Sequence, residues 1–152
     1  MRLVAISIIT FSILIVIWQF NVCFACDIDY CSDYRDSVVK ILDEENLNRD
    51  YYYLMSAESR CRKGAVSHKG AVGFWQLMPY TGKYYGCSNL NDLECATRAA
   101  SKYIKHLQTM FSSFDDVIIA YNMGGHNYLR LKKPSKEASG LLSKVKRLKC
   151  NG

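Results

Sequence analysis

The stretch that decides the fold reads GAVGFWQLMP and occupies residues 70–79. Gly70 and Gly73 allow the backbone to turn tightly or to approach a ligand closely. Pro79 stops the short apolar segment that precedes it. The side chain of Gln76 carries both a hydrogen-bond donor and an acceptor. We interpret the stretch as an irregular loop, with a small hairpin near residues 66–74, that places Gln76 beside a cleft.

Helical periodicity dominates the chain on both sides of this loop. Apolar residues on one face predict a helix over residues 34–46, and a second helix is predicted over residues 52–61. Asn91 with Glu94 has the pattern of a capping box, which predicts the start of a long helix. Its expected buried side is formed by apolar residues, namely Leu93, Ala96, Ala100, Tyr103, Ile104, Leu107 and Phe111.

Two further helices are predicted towards the C-terminus. Ser113 and Asp116 repeat the capping pattern, and the glycine pair at residues 124–125 ends that helix. Pro134 precedes a final amphipathic segment, which is apolar at Leu141, Leu142, Val145 and Leu148. Because no alternating strand pattern appears, we expect a compact all-α domain.

The N-terminus has the pattern of an export signal. Arg2 is followed by an apolar run over residues 3–18 and by a small residue, Ala25, at the expected cleavage site. Cleavage after Ala25 would place the protein in the periplasm or cell envelope. Two alternatives remain open: an uncleaved signal anchor, or a lipid on Cys26. In either case the membrane would be contacted only through the N-terminus.

Six cysteines remain after the predicted cleavage: Cys26, Cys31, Cys61, Cys87, Cys95 and Cys150. Six cysteines in a small exported chain predict a disulfide framework with 15 conceivable pairings. Cys87 and Cys95 flank a short loop and are the favoured pair. The three histidines show no ligand spacing, so we predict neither a metal nor a cofactor.

The charge is compatible with an anionic polymer as partner. The net charge is +6, of which Arg2 contributes one. Nucleic acid is disfavoured because the basic residues are scattered, apart from a C-terminal cluster at Lys144, Lys146, Arg147 and Lys149. Such a cluster is more often a solvated helix face or tail.

Glu58 is the leading candidate for acid–base chemistry. It lies at the end of an otherwise apolar and aromatic run at residues 51–55. Burial among aromatic rings raises a carboxyl pKa, which suits a general acid near neutral pH. An exposed helical glutamate would be the simpler interpretation of Glu58 alone. Phe74 and Trp75 could stack on sugar rings, although we expect at least one of them to be a core residue. Tyr121 and Asn122 lie at a helix end, where their polar groups can converge on a cleft.

Taken together, these segments resemble the soluble lytic transglycosylase (SLT) domain of glycoside hydrolase family 23. The resemblance rests on Glu58-Ser59, the Gly73-x-x-Gln76 spacing with Met78-Pro79, Thr81-Gly82 and Ala120-Tyr121-Asn122. The details are most similar to the membrane-bound lytic murein transglycosylase D type. The chain departs from the family pattern at Cys61, Met123 and His126, which bears on the shape of the sugar subsites.

The resemblance implies a lysozyme-like fold with Glu58 as the catalytic residue. Gln76, Tyr121 and Asn122 would then line the cleft, while Ser59, Gly73 and Phe74 would support substrate binding around it. We accordingly expect a signal peptide (1–25), an N-terminal segment (26–37), a catalytic domain (38–131) and a basic helical tail (132–152).

The distribution of acids favours a mechanism with one carboxyl group. Residues 59–91 contain neither aspartate nor glutamate, whereas most glycosidases need two carboxylates. Asp115 and Asp116 are the nearest downstream candidates by motif, and helix capping explains them better. The family implies cleavage of the bond between N-acetylmuramic acid and N-acetylglucosamine with formation of a 1,6-anhydro ring, in a substrate-assisted reaction.

Several readings remain open from the sequence. The enzyme could remodel the wall broadly, or open it locally for a secretion, conjugation or pilus apparatus. A goose-type lysozyme-like hydrolase would need a carboxylate that activates water. A non-catalytic wall-binding assembly protein on the same fold is the third reading, and a disulfide-rich toxin or inhibitor is the least favoured.

Overall fold

The computed structural model describes residues 27–150, and within that range it contains seven α-helices, a short 3-10 helix and no β-strand. The predicted all-α architecture is therefore confirmed. The signal peptide, its cleavage after Ala25 and the lipid on Cys26 lie outside the described residues. The elements in chain order are the 3-10 helix Ser32–Tyr34, α1 (Arg35–Glu44), α2 (Tyr51–Ser59), α3 (Pro79–Tyr84), α4 (Leu93–Gln108), α5 (Phe114–Met123), α6 (Gly125–Leu131) and α7 (Lys136–Lys149).

Helix α2 lies at the centre of the domain. Every residue of this helix is buried except Glu58. A helix that is covered on all sides belongs to the core rather than to the surface. It packs against α1 and α7, and α7 also packs against α5. Glu58 is thus the one position at which α2 reaches a solvent-accessible surface.

The N-terminal segment provides hydrogen-bond partners for the buried side-chain hydroxyls of α2. The Asp29 carboxylate accepts hydrogen bonds from the hydroxyls of Tyr52 (2.6 Å) and Ser56 (3.1 Å). Arg35 donates to the hydroxyl of Tyr53 at 2.9 Å and lies 4.0 Å from Asp29. Because buried hydroxyls without partners would destabilise the fold, this network lets α2 remain fully packed.

The loop at residues 64–78 forms the predicted irregular hairpin. Isolated antiparallel bridges join Val66 to Val72 and Val72 to Leu77. Gly73 has φ +76°, and its backbone lies so close to Leu90 that an added Cβ would be 1.9 Å from the carbonyl oxygen. Trp75 is fully buried and donates from its indole nitrogen to Thr97 at 2.9 Å. These contacts fix the loop against the body of the domain.

Some predicted helix boundaries were wrong. The cap of α4 is Asp92, which accepts from the backbone of Cys95, whereas Asn91 accepts from the backbone of Gly64. Helix α2 ends two residues before its predicted end, because Arg60 and Cys61 adopt left-handed backbone angles. Helices α3 and α6 were not predicted. The Ser113 cap and the end of α5 before Gly124 were predicted correctly.

The final helix is a packed element of the domain. Ala138, Leu141, Val145 and Leu148 are buried. From the C-terminal basic cluster, Lys146 pairs with Asp115 (2.5 Å) and Arg147 with Asp27 (3.1 Å). The sequence predicted the amphipathic helix, but only the fold shows that it covers α2 and α5.

Two disulfides join pairs of cysteines that both lie within residues 27–150. The predicted pair Cys87–Cys95 is present, and a second bond joins Cys31 to Cys61. The latter ties the N-terminal segment to the residue that lies three positions after Glu58. Among residues 27–150, none of the helices combines the length and the apolar character needed to cross a membrane.

The contact of Gly73 with Leu90 gives a test of the loop. Gly73→Ala should lower the free energy of unfolding by about 2 kcal/mol more than Gly70→Ala, because only the former creates a clash. Gly70 is a matched control, since it also has a positive φ (+86°) but open space around its Cα. Urea denaturation of both variants measures the difference. Equal losses would show that the close packing against Leu90 does not stabilise the fold.

Candidate active site

A cleft with a volume of about 280 Å³ opens beside Glu58. It is bounded by the end of α2, the 64–78 loop, the C-terminal end of α5 and the first turn of α7. The polar and charged side chains that line it include Glu58, Lys69, Gln76, Tyr121, Asn122 and Glu137. Thr81 of α3 and Tyr103 of α4 complete the lining, so that six segments of the chain converge on one carboxyl group.

Burial sets the chemistry of Glu58. Loss of contact with water raises the pKa of its carboxyl to about 7, and the carboxylate of Glu137 contributes to the rise. The ammonium group of Lys144 acts in the opposite direction. Lys144 belongs to α7 and donates to the backbone carbonyl of Ala57, next to Glu58 in the chain. A carboxyl group with this pKa can donate and accept a proton near neutral pH.

Gln76 is held in one orientation. Its amide nitrogen donates to the carbonyl oxygens of Ala65 (3.1 Å) and Gly73 (2.9 Å). Its backbone has φ +48°, an uncommon value for a residue other than glycine. Because the donors of the amide are used within the loop, the amide oxygen is the group that Gln76 retains for a ligand. The sequence had suggested that Gln76 could offer a ligand both a hydrogen-bond donor and an acceptor.

Tyr121 connects the loop to α5. Its hydroxyl donates to the backbone carbonyl of Trp75 at 2.9 Å. Burial raises the pKa of Tyr121 well above its ordinary value, and the nearby carboxyl of Glu58 adds to the effect. Tyr121 is therefore a neutral phenol that fixes the wall of the cleft. The adjacent Asn122 also lines the cleft and hydrogen-bonds to the side chain of Glu137.

Three of the predicted site residues lie behind the cleft rather than in it. Ser59 is 1% exposed and donates to the carbonyl of Met55 at 3.5 Å. Phe74 is 3% exposed and packs edge-on against Tyr34. Gly73 contacts Leu90 as described above. Other protein atoms cover these three residues, so that none of them lines the cleft as the prediction of substrate-binding residues would require. Trp75, like Phe74, is a core residue.

Glu137 is a site residue that the sequence did not reveal. It lies in the first turn of α7 and pairs with Lys69 of the loop at 2.5 Å. This contact with Lys69 holds the pKa of Glu137 below its ordinary value. Nothing local in the sequence links a residue near the C-terminus to Glu58. The only available signal was the pattern of Ser135 followed by an acid, which marks a helix start and not a site.

Asp115 and Asp116, the other acids considered from the sequence, do not line the cleft. Asp115 pairs with Lys146, whereas Asp116 completes the cap with Ser113 and accepts from the hydroxyl of Tyr128 at 2.7 Å. Both carboxylates are thus engaged in contacts that hold helices together, and the capping interpretation is confirmed for Asp116.

The fold is that of a small lysozyme-like domain. A lytic transglycosylase Slt from Pseudomonas aeruginosa, solved as an inactive mutant, superposes with a TM-score of 0.65 over 76% of this chain and 23% of that chain, at 19% identity. The Transglycosylase SLT domain model matches residues 41–142, and the chain belongs to that family.

One curated protein also matches this chain in sequence. A putative tributyltin chloride resistance protein of Alteromonas sp. (strain M-1) is 28% identical over 122 residues, which cover 75% of this chain and 59% of the relative. The chain therefore spans somewhat more than half the length of that relative. Membership of the D subtype stays a prediction.

The buried carboxyl makes stability depend on pH. The pKa of Glu58 is about 7 in the folded protein against an ordinary value of 4.5. The resulting stabilisation is complete below pH 4.5 and is lost as the pH rises through 7. Relative to Glu58→Gln, the wild type should lose roughly 2–3 kcal/mol between pH 5 and pH 8. Denaturant titrations at both pH values measure this difference, and an unchanged difference would contradict the burial of the carboxyl.

Lys144 offers a second test of the electrostatics. Lys144→Met should raise the pKa of Glu58 further, because a cation beside the carboxyl is removed. Lys146→Met is the matched control, since Lys146 lies in the same helix but pairs with Asp115. NMR titration of the Glu58 carboxyl carbon in the two variants reads out the effect. The same shift in both variants, or a lower pKa in Lys144→Met, would show that the charge of Lys144 does not lower the pKa of Glu58.

Proposed function

We propose that the protein is a peptidoglycan lytic transglycosylase in which Glu58 serves as the single acid and base. The observation that carries the proposal is the protonatable carboxyl of Glu58, which is shielded from water yet opens into a cleft lined by Gln76, Tyr121 and Asn122. Membership of the SLT domain family supports peptidoglycan as the proposed substrate. The predicted export signal is consistent with action in the periplasm or cell envelope.

The reaction requires a proton to be given and then taken back. Glu58 protonates the oxygen that leaves the anomeric carbon of N-acetylmuramic acid, and the acetamido oxygen of the same sugar attacks that carbon. The 6-hydroxyl then displaces the acetamido oxygen and closes the 1,6-anhydro ring, while Glu58 accepts the hydroxyl proton. A pKa of about 7 suits both steps. No water is consumed in this route.

The second carboxylate in the cleft bears directly on this mechanism. Glu137 could activate water, which would give ordinary hydrolysis. However, Lys69 and Asn122 already engage its carboxylate, and its lowered pKa makes it a weak base. These contacts favour a role in binding or positioning for Glu137. They leave Glu58 as the group with the appropriate proton affinity.

The goose-type hydrolase remains the second candidate function, and Glu137 is the observation that favours it. The two functions differ in their products. A transglycosylase leaves 1,6-anhydro ends and a hydrolase leaves reducing ends on the same glycan strands.

Mass spectrometry of digested peptidoglycan tests the proposal. Wild type should release anhydro products, and Glu58→Gln should lower the rate by at least about 1000-fold, because the acid–base group is lost. Glu137→Gln should still release anhydro products, although more slowly. Reducing ends in the wild-type digest that disappear in Glu137→Gln would instead establish the hydrolase. A wall that is bound but never cut would favour the non-catalytic assembly protein.

The biological setting is a separate part of the proposal. Local wall opening for a secretion, conjugation or pilus apparatus would be consistent with such an enzyme, as would general remodelling of the wall. Deletion of the gene distinguishes them: loss of one envelope-spanning apparatus without a change in cell shape would favour local opening.

A further inference from the structure

A second cavity opens beside the N-terminal segment, and we name it the basic pocket. Its volume is about 440 Å³. It shares no lining residue with the cleft at Glu58, so it is a separate site and not an extension of the cleft. The side chains that line it include Asp27, Ile28, Tyr30, Arg60, Lys144 and Arg147.

Positive charge dominates the basic pocket. Arg147 pairs with the carboxylate of Asp27 at 3.1 Å, which leaves Arg60 and Lys144 as two positive charges in excess. The guanidinium of Arg60 stacks over the ring of Tyr30 at 5.6 Å, and within residues 27–150 it forms no ion pair. The pocket therefore offers charged donors to an anion.

The pKa of Lys144 reflects this excess of positive charge. Burial lowers the pKa, and repulsion from Arg60 and, more weakly, from Arg147 lowers it further. Attraction to Glu58 and Asp27 acts in the opposite direction but does not reverse the shift. An anion bound in the pocket would relieve the repulsion among the cations.

Arg60 occupies a backbone position that favours glycine. It follows the last residue of α2 with φ +52°, in the left-handed region where many helices end on glycine. A residue with a Cβ is disfavoured there by roughly 1–2 kcal/mol. Because its guanidinium forms no ion pair within residues 27–150 that would offset this cost, the presence of arginine points to a ligand and not to a role in folding.

Two exposed apolar side chains lie next to these cations. Ile28 is 67% exposed and Tyr30 is 60% exposed, and both line the basic pocket. Apolar and cationic groups side by side are typical of surfaces that bind at the boundary between the headgroups and acyl chains of an anionic membrane, where tyrosine is also enriched. A small dissolved anion would leave the apolar side chains in water, so the combination favours a lipid.

The position of the basic pocket in the chain also points to a membrane. Asp27 lies two residues after Ala25, the end of the predicted export signal. That signal is the segment for which the sequence predicts contact with a bilayer, either before cleavage or as an anchor. A pocket built on the residues that follow the signal is brought to the membrane surface by the chain itself.

The basic pocket and the cleft open on different sides of α2. Ser56 lines the pocket, whereas Glu58 lines the cleft. Two residues turn an α-helix by about 200°, so these side chains lie on nearly opposite faces of the helix. A membrane at the pocket therefore leaves the cleft facing away from the lipid.

We propose that the basic pocket binds the phosphate of an anionic phospholipid headgroup through Arg60 and Arg147, with Ile28 and Tyr30 at the boundary of the acyl chains. This contact docks the domain on a membrane with Glu58 directed away from it. Binding to lipid does not depend on the proposed function. Only the consequence of the orientation, which presents the cleft to the cell wall, rests on that function.

Binding to vesicles of defined composition tests the inference. The protein is the exported chain with the N-terminus that it carries after export, and the vesicles contain phosphatidylcholine, either alone or with about one-third phosphatidylglycerol. Arg60→Gly combined with Arg147→Gln should weaken binding to the anionic vesicles about 25-fold, because each cation near an anionic surface contributes about fivefold. Binding to phosphatidylcholine alone should stay the same.

Lys132→Gly combined with Lys133→Gln is the matched control. Lys132 ends α6 with the same φ of 52° with which Arg60 ends α2, and neither lysine lines the pocket. Both double variants remove two positive charges and place glycine at one left-handed position, which suits glycine, so that unfolding does not explain a difference between them. The control should lose less than about threefold, because charges distant from the membrane are screened by salt.

The outcomes separate the membrane inference from its alternatives. Equal binding of the two double variants to anionic vesicles would refute the inference and leave the proposed function untouched. The inference is also overturned if inorganic phosphate shifts the NMR signal of the Arg60 guanidinium while anionic vesicles do not bind, since the site then takes a dissolved anion. Binding of an oligoglutamate peptide through Arg60 and Arg147 without binding of vesicles would instead identify a surface for a protein partner. If wild type releases no anhydro products but the selective loss of vesicle binding is observed, membrane docking is supported and only the proposed function fails.

Discussion

The complete burial of α2 is the constraint from which the site follows. A helix made of three tyrosines, Leu54 and Met55 can be stable only when other elements cover it on every side. Glu58 is the single residue of α2 that is not fully buried. Its carboxyl is therefore largely desolvated but still accessible from the cleft. The raised pKa is a direct consequence of this packing.

The elements that cover α2 also supply the rest of the cleft. Helix α7 packs on α2, contributes Glu137 to the cleft and places the charge of Lys144 near Glu58, while the N-terminal segment satisfies the buried hydroxyls through Asp29. The loop at residues 64–78 is fixed by Trp75 and by the hydroxyl of Tyr121. Stability and site geometry consequently depend on the same contacts, so that a change at the periphery can alter the chemistry of Glu58.

The charges around Glu58 are balanced between opposing effects. Lys144 lowers the pKa of the acid, whereas burial and Glu137 raise it. Lys69 in turn neutralises Glu137 on the other wall of the cleft. This arrangement assigns different protonation behaviour to two carboxyl groups in one site, and it is the physical reason for regarding them as different in function.

The sequence by itself determined the helical class, the loop at residues 64–78 and the pair Cys87–Cys95, and it predicted that Gln76, Tyr121 and Asn122 line one cleft with Glu58. Each of these has a local signal, such as periodicity, glycine spacing or a short motif. The tertiary structure alone decided that Ser59, Gly73 and Phe74 lie behind the cleft, that Cys31 pairs with Cys61, and that α7 brings Glu137 and Lys144 to Glu58. Contacts between residues far apart in the chain leave no local pattern, because they depend on how complete helices pack against one another.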